Sequence, residues 1–107
     1  MDAKSFAQAC RQTRDSMFAS YSDPGDRTEV GGLIGRASLT PEQRKLVLAA
    51  LDTALTDAFY TMLLGLDGAA ALGDNQQIYT LRDELGSVVS AGNGDLEAAA
   101  WEEFHSD

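Results

Sequence analysis

The sequence predicts a single α+β domain, mainly helical, over residues 1–107. Three observations carry this. The chain holds sixteen Ala and thirteen Leu but only two Ile and four Val, a helix-forming balance with too little β-branched material for an all-β core. Apolar residues recur at helical spacing through most of the first two thirds of the chain. A short stretch near residue 80 instead alternates and is followed by turn residues.

The N-terminal helix is read over residues 3–21, where Phe6, Cys10, Thr13, Met17 and Tyr21 share one face. Lys4, Arg11, Arg14 and Asp15 are then expected in solvent. The run Ser22-Asp23-Pro24-Gly25-Asp26 stops the helix. Residues 22–39, with Gly31, Gly32 and Gly35 around Leu33 and Ile34, read as a long loop of the kind that is sometimes functional.

The long central helix has the clearest start. Thr40 is a good N-cap, Pro41 suits the first helical position and Gln43 completes a capping box. It should run to Leu66, roughly 39 Å at about 1.5 Å per residue. Leu46, Leu48 and Leu64 widen its apolar stripe beyond one face, which predicts a central helix covered on more than one side. Asp67-Gly68 and Gly73-Asp74-Asn75 are turns. Residues 77–82 and 87–90 read as the strands of a β-hairpin around Asp83-Glu84-Leu85-Gly86. Asp95 is read as the N-cap of a short C-terminal helix with Leu96, Ala99, Ala100, Trp101 and Phe104 on its apolar side.

The formal charge of -9 is unevenly placed. Residues 1–45 carry seven basic and six acidic side chains, whereas residues 46–107 carry Arg82 against eleven acidic ones. Such a surface repels phosphate backbones and anionic lipid, so neither nucleic acid nor membrane is expected as a partner. The longest apolar run, residues 58–66, is too short to span a bilayer. One cysteine and no signal-peptide pattern point to the cytoplasm.

Candidate chemistry is sparse. His105 stands near the chain end, where a general base is poorly held. Cys10 lies on an apolar stripe and reads as a small hydrophobe. Gly31-Gly32-Leu33-Ile34-Gly35-Arg36 lacks the Lys-Ser/Thr of a phosphate loop. A calcium loop starting at Asp67 fails, because Ala69, Ala71 and Ile78 occupy ligand positions. Asp57 with Tyr60 and Thr53 forms a polar cluster on the central helix. No catalytic residue, cofactor or metal is expected.

The runs Leu55-Thr56-Asp57-Ala58-Phe59-Tyr60, Leu63-Leu64-Gly65-Leu66-Asp67-Gly68 and Tyr79-Thr80-Leu81-Arg82-Asp83-Glu84-Leu85-Gly86 resemble small, acidic, uncharacterised bacterial proteins. These share a long helix, a Leu-Asp-Gly turn and a hairpin with an Asp-Glu-x-Gly tip. Several are similar to immunity proteins paired with secreted bacterial toxins. The resemblance covers about residues 46–104 and transfers no site residue.

It implies a protein-binding module that neutralises a toxin by covering its active or substrate surface. The acidic set Asp67, Asp74, Asp83, Glu84, Asp95, Glu97, Glu102 and Glu103 is then the expected docking face for a basic protein partner. Asp107 belongs to the same acidic group. The alternative is a self-associating structural or regulatory module, in which a homodimer buries the excess apolar surface of the central helix. Neither reading requires catalysis.

Overall fold

The computed structural model describes residues 1–105, leaving Asp107 outside them. Its elements are α1 (Ala3–Ser22), α2 (Glu29–Arg36), α3 (Pro41–Leu66), β1 (Leu81–Arg82), β2 (Val88–Ser90) and α4 (Asp95–His105). The fold is α+β and mainly helical, as expected. Helices α1, α3 and α4 pack on one another, and the hairpin closes one end.

Local chemistry sets most boundaries. The Asp2 carboxylate accepts from the Ser5 N–H at 2.8 Å and caps α1. Thr40 and Gln43 form the expected capping box, with bonds of 3.2 and 3.0 Å. At the other end of α3, Gly68 adopts φ +76, a left-handed conformation that favours glycine. There Gly68 donates to the Gly65 carbonyl and Ala69 to that of Leu64, a Schellman closure.

The segment read as a loop contains α2. Thr28 caps it by accepting from the Gly31 N–H at 3.0 Å, while Glu29 in its first turn and Arg36 in its last complement the helix dipole. Gly31 packs so tightly against α1 that a Cβ there would meet the Tyr21 carbonyl and the Thr28 hydroxyl. Capping, dipole complementation and packing together outweigh the poor helix propensity of three glycines.

The hairpin is shorter than expected. Leu81 pairs with Ser90 and Arg82 with Val88, with an irregularity between the two pairs. Residues 77–80 find no strand to pair with among the described residues, so their alternation does not become a ladder. The turn lies where expected: Asp83 accepts from the N–H groups of Leu85 and Ser87 at 3.0 and 2.9 Å.

The core is small and rich in alanine. Ala3, Ala7, Leu63, Leu96, Ala99, Ala100 and Phe104 form it, and among the described residues Leu96 is the one large side chain almost wholly enclosed. The alanines let α1 and α4 approach closely. Helix α3 is not the covered central helix the sequence implied. Of its residues only Leu63 and Gly65 are buried, and Leu46, Val47 and Met62 are exposed. Its first half runs beside the second half of α1, with Arg44 donating to the Ser22 carbonyl at 2.9 Å, and the molecule measures 47 × 29 × 27 Å. Taken whole, α3 is long and apolar enough to cross a membrane by length and composition, although the apolar stretch 58–66, broken by Tyr60, Thr61 and Gly65, is not.

Arg14, expected in solvent, is 4% exposed. It lies between α1 and α3, donating to Asp15 at 2.7 Å and to the Asp52 carbonyl at 2.9 Å, and it is ion-paired with the Asp52 carboxylate. Its guanidinium also sits over Phe18, while Nε has no hydrogen-bond partner among the described residues. The antiparallel α1–α3 pair is thus fastened by a cation where the apolar core gives out. Replacing Arg14 with Ala should cost about 2 kcal/mol, in the range for hydrogen bonds to charged groups. Arg14→Met, which restores the apolar bulk, should recover part of that. Urea denaturation checks both; equal losses would assign the whole effect to the charge rather than to packing.

Candidate functional site

The eight carboxylates expected to form one docking face divide by location. Asp67 is 4% exposed and engaged internally: it accepts from the Glu97 N–H at 2.9 Å and from the Ser90 hydroxyl at 3.3 Å. Asp67, rather than Asp95, therefore caps α4 at its third residue. Asp95 is the first residue of that helix and takes a hydrogen bond from the Asn93 amide. Asp83 is committed to its turn and to the Met1 ammonium, 2.7 Å away. Glu84 is exposed at the hairpin tip and Asp74 in the preceding turn. Glu103 is half-buried, with its carbonyl accepting from Arg11.

This leaves α4 to present the concentrated part of the charge. Its solvent side holds Glu97, Ala98, Trp101, Glu102 and His105, all exposed. Trp101 was expected on the apolar side, yet it is 57% exposed at the centre of this strip. The i, i+4 spacing of Glu97, Trp101 and His105 stacks them along the helix.

Tyr60 of α3 completes the arrangement. Its ring meets His105 edge-on at 4.4 Å and Trp101 at 6.3 Å, while Trp101 and His105 lie 5.1 Å apart. Behind them Phe59 stacks on Phe104 at 6.2 Å, which anchors α4 to α3 below the surface. Asp57, exposed and three residues before Tyr60, adds a carboxylate on the same side of α3. A shallow depression of about 380 Å³ lies between Tyr60, Gly94, Glu97, Ala98 and Trp101.

His105 is thus packed into an aromatic cluster instead of standing at a loose end. Sequence reasoning missed this face because Trp101 was assigned to the apolar side of α4 with Phe104, whereas Phe104 is buried and Trp101 stands outside the edge of the core. The 97/101/105 spacing was the available signal.

A fully aromatic surface binds by apolar area and ring stacking; one surrounded by carboxylates also attracts and orients cations. The arrangement suits a guanidinium or ammonium laid on the Trp101 or Tyr60 ring with Glu97 or Asp57 as counter-charge. Among the described residues, no group of three His, Cys, Asp or Glu side chains is placed to hold a metal. Cys10 is half-buried in an apolar groove, and burial pushes its thiol pKa up, away from thiolate chemistry.

Two consequences follow from the division of the carboxylates. Asp67→Ala should destabilise the fold by about 1 to 2 kcal/mol through loss of the α4 cap. The loss should be read in thermal unfolding. Asp83 is held below the usual 3.8 by the Met1 ammonium and then by the Ser87 and Leu85 N–H groups. A carboxyl depressed on folding gives stability that is full above its unfolded pKa and is lost as pH falls through the folded one. Stability should therefore decline below about pH 4, and Asp83→Asn should flatten that decline in acid titrations followed by circular dichroism.

No protein-family model, curated protein or solved structure matches the chain.

Proposed function

We propose that this chain is a protein-binding module of the immunity type, which neutralises a bacterial toxin in the cytoplasm by covering its active or substrate surface. The supporting observation is Trp101, exposed by 57% on an acidic helix and flanked by Tyr60 and His105. Exposed Trp and Tyr are the residue types that dominate binding energy at protein interfaces. Placed among carboxylates, they fit a partner that presents Arg or Lys, such as a surface built to hold phosphate groups.

The division of labour is physical. Carboxylates on α4, on Asp57 and at the hairpin tip attract a basic partner over long range and accelerate encounter. The aromatic rings, once desolvated, hold it. Asp67 contributes by fixing α4, not by touching the partner.

The test is co-expression with the product of the adjacent gene, followed by measured binding of the purified pair. Rescue of growth supports the reading, and a non-toxic or non-binding neighbour counts against it. In a bound pair, Trp101→Ala should weaken affinity by about 30-fold, equivalent to a hot-spot loss of about 2 kcal/mol. Glu97→Lys should instead slow association and reduce its salt dependence, with a smaller effect on dissociation. Stopped-flow kinetics separates these; unchanged association for Glu97→Lys would remove electrostatic steering.

A further inference from the structure

We propose that two copies of the chain pair antiparallel along α3, each filling the apolar groove between α1 and α3 of the other. The first support is surface area. The chain exposes 6969 Å², whereas a compact monomer of its 11.4 kDa mass exposes about 5,800 Å². The excess, about 1,200 Å², is more than the ~800 Å² each partner contributes to a standard stable interface. The radius of gyration agrees, at 16.4 Å against about 13 Å for a compact domain of this length.

The excess surface has a suitable location. Phe6, Cys10, Ala58, Met62 and Leu66 line a groove of about 280 Å³ with no polar surface. Along α3 the groove continues as a stripe of Val47, Leu51, Ala54, Ala58 and Met62, whose spacing puts them on one face. Val47 is 38% and Met62 54% exposed.

The stripe is also self-complementary, as a two-fold interface requires. It is bulky at both ends and small in the middle. A two-fold axis near Ala54 sets Val47 of one copy against Met62 of the partner subunit and Leu51 against Ala58 of the partner subunit, and it brings Ala54 of both copies to the centre, where helix axes can approach closely. Charge selects the same direction. Residues 46–107 carry the net -10 and residues 1–45 a net +1. Parallel pairing would stack the two acidic ends, whereas antiparallel pairing sets each beside the nearly neutral α2 end of the other. Tyr60 lies about 200° around α3 from Ala58 and from Met62, so pairing leaves the Trp101 face open.

Sedimentation velocity from about 1 to about 100 µM, which spans a micromolar Kd, tests the proposal. The expected species has twice the chain mass. Ala54→Lys should yield monomer with unchanged circular dichroism, because Ala54 is exposed in the single chain. Trp101→Ala should remain dimeric, which separates this proposal from the docking reading. Cys10 should react more slowly with N-ethylmaleimide as wild-type concentration rises, and at a constant rate in Ala54→Lys. A wild-type monomer throughout, a dimer that Ala54→Lys leaves intact, or a monomer that co-sediments with phosphatidylcholine vesicles would each overturn it.

Discussion

Asp67 is the constraint on which the docking end of the molecule depends. This buried carboxylate joins the end of α3, the Ser90 hydroxyl of β2 and the first turn of α4. So polar a side chain is tolerable in so enclosed a place because its oxygens accept from a hydroxyl and from an N–H at a helix start. Without it α4 would begin with an orphaned donor and the hairpin would lose one of its ties to the helices. The position of Trp101 and His105 against Tyr60 follows from that anchoring. The most sequestered acidic residue therefore serves the exposed ones, by holding the helix that carries them.

The general architecture was legible in the sequence because its signals are local. Thr40, Pro41 and Gln43 mark a helix start by side-chain chemistry alone, and Asp67-Gly68 marks its end. What escaped depends on tertiary context. Helix α2 contains three glycines, and only packing of Gly31 against α1 shows why the segment coils. Arg14 looks like a solvated charge until Asp52, thirty-eight residues away, is brought beside it. Residues 77–80 alternate like a strand but have no strand to pair with among the described residues. The acidic content of the candidate site was readable by counting. Its division into Asp67 and Asp83, which hold structure, and Glu97, which faces outward, was not, because a carboxylate's hydrogen-bond partners are set by the fold.

The small core has its own logic. Alanine at the α1–α4 contact allows close approach but contributes little apolar area per residue. The larger apolar side chains are then left over on α3, where a compact domain would have hidden them. Arg14 fastens α1 to α3 at the level where the core ends, and the groove lies between the same two helices. Helix α3 thus separates two surfaces of opposite character: an apolar one suited to its own kind, and an acidic aromatic one suited to a cation.

Trp101 has one more consequence. It is the chain's single tryptophan, so all indole emission arises from one point on the surface. With its ring half in water and half against His105 and Tyr60, that emission will shift whenever the face is covered and stay constant when association happens elsewhere. The protein carries an internal optical gauge, by which occupancy of one face can be followed without attaching a label.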